Sequence, residues 1–360
     1  MAPRNHKNWL AKPKVEYISS ECYNNHEIFE QEIKDIFSKV WVPVCHLSEM
    51  DITGSYRTAQ IAFRNVIVIR FSSGQVRAFE NNSVTRPAGH DMALCYHSLK
   101  WKELPCEIKH GGMVWVTLDT STSMTVDQWT AGAFDCIEDA IDTEEMEVFH
   151  YHKAVIDTNY KLWHDTNSEF YHDFMHYFNR VSGFNDEYFA RKNIPFDNGH
   201  VNVSSFTVNY EEYDGFEDRG ELSFPNLPPN QWYMVDLFPG FNFNLRGSAY
   251  RSDAVTPLGP NKVLIEFRGY GLKNDSESDR RTRIKHHNSI WGPFGRNLHE
   301  DLIGVAGQGT TMREGTEYRN ILHGRHENST IHDEVGMRHY YAEWGKFLER
   351  DPSSYLKEAA

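Results

Sequence analysis

Two histidines four residues apart, His172 and His176, carry the strongest chemical signal in the sequence. They fall in a run, residues 159–177, whose pattern predicts a helix. On a helix they would sit one turn apart on one face and could share a metal ion. Glu169, three residues before His172, and Asp165, seven before it, lie on or near that face. Two imidazoles and one carboxylate leave coordination positions open, as non-haem iron(II) requires for chemistry with dioxygen. A third ligand has to come from elsewhere in the chain. Asp301, within residues 297–303, is the best-placed candidate, with Glu300 beside it as the alternative. A bare His-x-x-x-His pair also fits a solvated, histidine-rich surface, so the surrounding pattern has to decide.

Positioning such a site takes a scaffold, and 360 residues provide one large or two ordinary domains. Residues 26–41 place Ile28, Phe29, Ile33, Ile36, Phe37 and Val40 on one helical stripe. Residues 65–71, a Ser-Ser-Gly-Gln turn and residues 76–79 predict a β-hairpin. Residues 112–118 predict a buried strand, so 41–120 is expected to be an all-β module, preceded by a helical segment at 1–40. The remainder, 121–360, mixes classes. Strands are predicted at 234–245 and 263–272, and helices from Asp279 to Gly307. The expected fold class is α+β, with helices flanking an antiparallel sheet.

Composition narrows the function. A net charge of −14 argues against nucleic acid. No run approaches the roughly 18 apolar residues of a membrane helix. Residues 1–15 hold Arg4, Lys7, Lys12 and Lys14 but no apolar core behind them, so no secretory signal is read. Five cysteines without framework spacing suit a reducing cytoplasm. Nineteen histidines and 14% aromatic residues favour a metal or aromatic-ligand protein.

The run around the histidines resembles the mononuclear iron motif of Rieske non-haem iron oxygenase large subunits, N-W-K-x-x-x-(D/E)-N-x-x-(D/E)-x-Y-H-x(3,4)-H. It matches at Asn159, Lys161, Asp165, Glu169, Tyr171, His172 and His176, with Tyr160 for Trp and Thr166 for Asn. The resemblance extends over nearly the whole chain. Residues 37–46 are similar to the family's entry into its Rieske module, and residues 337–344 to its closing helix. Glu300-Asp301 with Gln308-Gly309 is similar to the segment that carries the carboxylate ligand. The resemblance implies a Rieske-like β domain and a helix-grip-type catalytic domain. It also implies Fe(2+) on His172, His176 and Asp301, with Glu169 and Asp165 as catalytic residues. Aromatic residues of 233–243, among them Phe238 and Phe241, are candidates to line a cavity for a small, by family habit aromatic, substrate.

The pattern breaks at the cluster. A Rieske [2Fe–2S] centre needs C-x-H and C-x-x-H pairs. Ser83 and Thr85 stand at the first pair. At the second, aligned on Tyr96-His97, Leu94 stands at the cysteine position and Cys95 is one residue out of register. The expectation is a mononuclear iron and no [2Fe–2S] cluster in this chain. Electrons would then come from a cluster-bearing Rieske oxygenase subunit, served by a ferredoxin or reductase, in a trimeric or hexameric hetero-oligomer. The contrasting expectation is a non-catalytic structural or regulatory subunit of such an assembly.

Overall fold

The computed structural model describes residues 17–81, 101–216, 219–314, 319–321 and 330–352. Ser83, Thr85 and Leu94, with Cys95 and His97, lie outside the described residues. Strand β1 (Tyr17–Ser19) pairs antiparallel with a late strand, Arg319–Ile321. Helix α1 (His26–Glu32) starts at Asn25, whose side chain accepts from the Glu27 and Ile28 backbone N–H groups. It runs on into a wider turn, Ile33–Phe37. Its predicted stripe is buried at Ile28, Phe29, Ile36, Phe37 and Val40.

Two small antiparallel sheets follow, built from β2 (Val42–His46), β3 (Tyr56–Ile61), β4 (Arg64–Arg70), β5 (Val76–Glu80), β6 (Lys102–Leu104), β7 (Cys106–Lys109) and β8 (Met113–Val116). Their orders are β2-β8-β7 and β3-β4-β5-β6. Because alternate side chains leave a strand on opposite faces, β4 fills two cores at once. Val66 and Val68 enter the main core, whereas Ile67 and Ile69 join Phe79 in a small separate cluster. The expected hairpin is present, turning at Gly74 with φ of +79°.

The larger sheet has seven antiparallel strands: β9 (Met146–Ile156), β10 (Asn193–Pro195), β11 (Val201–Thr207), β12 (Gln231–Leu237), β13 (Phe241–Arg246), β14 (Ala249–Gly259) and β15 (Lys262–Leu272). Their order is β10-β11-β12-β13-β14-β15-β9. Helices α2 (Tyr160–Ser168), α3 (Glu277–Trp291) and α5 (Val335–Leu348) pack on it, and α4 (Arg296–Glu314) packs on α2 and α3. This is the α+β arrangement that the sequence predicts.

In β13, Asn242, Asn244 and Arg246 alternate with Phe241, Phe243 and Leu245, and all six are buried. Such alternation usually marks a strand with one wet face; here both faces are covered. Register places Trp232 opposite Arg246, Met234 opposite Asn244, and Asn244 opposite Arg251. Directly paired residues share a face, so these five present one surface.

Candidate metal centre

The motif around the histidines divides into two halves with different work. In the first half, Asn159 caps α2 by accepting from the Lys161 N–H, while its amide donates to the Tyr23 and Pro260 carbonyls. Lys161 Nζ lies 2.6 Å from Glu32 Oε1, both fully buried, and Trp344 Nε1 donates to that same oxygen. Asp165 accepts from the Tyr23 and Tyr341 hydroxyls at 2.7 and 3.1 Å. Burial pushes its carboxyl up to about 6. Asp165, expected at the site, is thus held by Tyr23 and by Tyr341 of α5 and does not line the cavity at the histidines.

The second half delivers the ligands, though not as the helical pattern predicts. The chain leaves the helix at Glu169 (φ −100°, ψ 146°), places His172 in a short turn, Tyr171–Met175, and extends again at His176. His172 and His176 do not share a helix face. The cause is the Glu169 carboxylate. Its Oε2 accepts from the Tyr171 and His172 N–H groups at 2.8 and 3.2 Å, while its Oε1 accepts from His172 Nδ1 at 2.6 Å. A side chain that satisfies backbone donors in this way competes with helix continuation.

His176 is held in the same manner by another element: its Nδ1 donates to Glu300 Oε2 of α4 at 2.8 Å. With each Nδ1 engaged, the Nε2 atoms are left facing Asp301. Asp301 Oδ1 lies 2.9 Å from His176 Nε2 and 3.6 Å from His172 Nε2. Two donors about 2.1 Å from one ion lie roughly 3 to 3.5 Å apart, so this spacing suits atoms sharing an ion. Gly309 lets α4 come this close, because a Cβ there would meet Thr158 Oγ1 at 2.4 Å.

Asp173 is a rival third ligand, its Oδ1 3.7 Å from His172 Nε2, and it groups with both histidines. Its other oxygen accepts from the Tyr188 hydroxyl and faces Arg191 at 3.6 Å. Asp301 Oδ1 is by contrast a buried oxygen without an aligned hydrogen bond, so Asp301 fits a metal better. The electrostatics agree. Burial alone would lower the His172 pKa, yet Glu169, Asp173 and Asp301 bring it up to about 10. His176 is likewise raised against burial, chiefly by Asp301, and Asp301 is held low by the two rings despite its own burial. A field that retains protons on two imidazoles also favours a divalent cation.

These groups line a cavity of about 20 Å³ with Thr166, Asn167, Phe170, Trp232, Met234, Asn244, Arg246, Arg251, Trp291 and Asn297. Phe238 and Phe241, expected as candidate lining, are buried in the core and are not among the residues around this cavity. Sequence reasoning missed Asp173, the hold of Glu300 on His176, and both arginines. The one signal for Arg246 was the Phe-Asn-Phe-Asn-Leu-Arg alternation of β13.

An antiparallel sheet flanked by helices thus carries two imidazoles and a carboxylate that converge on one point. The family described as the ring hydroxylating alpha subunit, catalytic domain, matches residues 143–350, and the chain belongs to it. It is 53% identical to the methanesulfonate monooxygenase hydroxylase subunit alpha of Methylosulfonomonas methylovora, over 98% of this chain and 97% of that one. It is 35% identical to the 2-aminobenzenesulfonate 2,3-dioxygenase subunit alpha of Alcaligenes sp, over 93% and 94%. A solved quaternary ammonium Rieske monooxygenase has the same fold, with a TM-score of 0.73, 17% identity, and coverage of 95% and 98%. Catalytic domains of this family use mononuclear non-haem iron, and its alpha subunits work with electron-transfer partners in oligomers. No helix among the described residues is long and apolar enough to cross a membrane.

Proposed function

We propose that this chain is the oxygen-activating subunit of a cytoplasmic monooxygenase for a small sulfonate, with electrons arriving from a Rieske cluster on another subunit. The observation that carries the reading is the convergence of His172 Nε2, His176 Nε2 and Asp301 Oδ1, each imidazole fixed from behind by a carboxylate. When bound there, iron(II) would supply the activation of dioxygen. The protein's part is to hold geometry. Glu169 and Glu300 set which ring nitrogen carries the proton and where each ring points.

Kinship supports the substrate class. Sulfonate is common to the names of the two relatives, whereas an aromatic ring occurs in only one.

An external electron source is supported by Ser83, Thr85 and Leu94 at three of the four cluster-ligand positions. The match to the methanesulfonate relative also runs over 402 positions, longer than this chain, so that relative carries segments with no counterpart here. Around Glu169, the side chains of Tyr171, Phe174, Met175 and Tyr177 are exposed, an apolar rim suited to a neighbouring subunit in a trimeric or hexameric hetero-oligomer. A ferredoxin or reductase would feed the partner's cluster.

The test is product formation from methanesulfonate by the iron-loaded chain with reductase, with and without a cluster-bearing oxygenase subunit. Product should require that subunit and should vanish with His172→Ala in this chain. Product that survives His172→Ala would place the active iron in the partner and make this chain a structural subunit. Turnover without any partner cluster would overturn the shared-electron reading.

A further inference from the structure

We propose that Arg246 is the anion-binding residue of the metal cavity, holding the charged head of a small sulfonate or carboxylate while its C–H end faces His172, His176 and Asp301. This rests on the oxygenase reading above and names the group that would select its substrate. Arg246 ends β13 and lines the same cavity as the three candidate ligands. It is 3% exposed, and its Nε and Nη1 atoms are buried without a hydrogen-bond partner.

The neighbouring arginines are satisfied differently. Arg251 forks onto Asp253, with Nε and Nη2 at 2.9 and 3.1 Å from the two carboxylate oxygens. Arg191, also set among aromatic rings and with Nη2 lacking a hydrogen bond, still has the Asp173 carboxylate at 3.6 Å to balance its charge, and its Nε donates to the Tyr188 carbonyl at 3.4 Å. Among the described residues Arg246 has no such carboxylate. Aromatic rings surround it instead: its guanidinium carbon lies 3.9 Å from the Trp232 ring centre, 5.4 Å from that of Trp291 and 5.7 Å from that of Phe178. These rings fix the plane of the guanidinium and support its charge without accepting its N–H groups.

Burial lowers the Arg246 pKa to about 10, so the group still carries its charge at neutral pH. A buried cation with donors unmet is costly unless something completes it. An oxyanion entering this cavity would accept those donors in charge-assisted hydrogen bonds. Asn244, which accepts the Trp232 indole N–H at 2.6 Å through Oδ1, has its amide N–H groups as additional neutral donors on the same sheet face.

The experiment is anaerobic calorimetry on the iron-loaded protein, titrated with methanesulfonate, acetate and uncharged dimethyl sulfone. The wild-type chain should bind at least one of the anions well above the sulfone, and the stronger of the two identifies the head group. Arg246→Met should weaken anion binding roughly 10- to 100-fold with unchanged iron content, and should leave the sulfone unaffected. Arg246→Lys, which keeps the charge but not the planar donors, should fall between. Anion binding that survives Arg246→Met overturns the assignment even if the enzyme hydroxylates the sulfonate. A wild-type chain that binds sulfone as tightly as both anions overturns it without any variant. Arg246-dependent binding in a protein that forms no product sustains this assignment and overturns the oxygenase reading instead.

Discussion

The two walls of the candidate metal cavity carry opposite charge, and each leaves one charged group unsettled. On the loop and α4 wall, Glu169 and Glu300 are each committed to an imidazole and Asp173 to Tyr188 and Arg191, while Asp301 Oδ1 is left without an aligned hydrogen bond. On the sheet wall, Arg251 is committed to Asp253, while Arg246 is left among aromatic rings with donors unmet. Built-in pairing marks groups that position others, and a charge without a pair marks where a ligand is expected. That pattern supports the proposed cation at the first wall and the proposed anion at the second.

The largest effect comes from breaking the cation wall. Asp301→Ala or His172→Ala should abolish iron binding and turnover while the far-ultraviolet circular dichroism stays unchanged, because these side chains converge on the proposed metal position and hold little else. Full iron occupancy in both variants would mean a different ligand set, with Asp173 the first replacement to test.

On the sheet wall, the two arginines should separate by stability. Arg251→Met leaves Asp253 buried with Trp163 Nε1 as its one remaining side-chain donor among the described residues, and should cost about 3–5 kcal/mol in urea unfolding. Arg246→Met removes an unpaired buried charge and should leave stability within about 1 kcal/mol or raise it. Equal losses would erase the distinction between the two residues.

A smaller effect is expected from the carboxylates behind the imidazoles. Glu169→Gln keeps an acceptor for His172 Nδ1 but drops the charge. Iron content should hold while turnover in the reconstituted complex falls roughly 10- to 100-fold. Pre-reduced partner in a single turnover would show whether the loss lies in electron delivery, and an unaltered rate would remove Glu169 from the mechanism. The smallest effect belongs to Asp165→Asn. Its partners are Tyr23 and Tyr341, so about 1 kcal/mol of stability should go and turnover should stay within a few-fold. A collapse of activity at full iron content would return Asp165 to the catalytic machinery.

These cases also show what could be read from the sequence. His172, His176 and Glu169 could be singled out because the motif they share with Asn159, Lys161 and Tyr171 is local, although the helix face read from their spacing is not what the structure forms. The α1 stripe and the β4–β5 hairpin were legible for the same reason, as period and turn residues lie within a few positions of each other. The helix break at Glu169 was not, because periodicity does not register a side chain that captures the backbone N–H groups of Tyr171 and His172. Arg246 was hidden for a different reason. Alternation in β13 reads as one wet face, and only the covering helices turn that face into a cavity wall. Phe238, in the turn after β12, and Phe241, on β13, lie away from this cavity, since aromatic content alone cannot say which residues meet the site.

The central claim, an iron of its own and a cluster borrowed from elsewhere, is tested most directly by iron and acid-labile sulfide analysis of the purified chain. About one iron per chain and no sulfide is the predicted result. Iron accompanied by stoichiometric sulfide, with the visible absorption of a [2Fe–2S] centre, would contradict it.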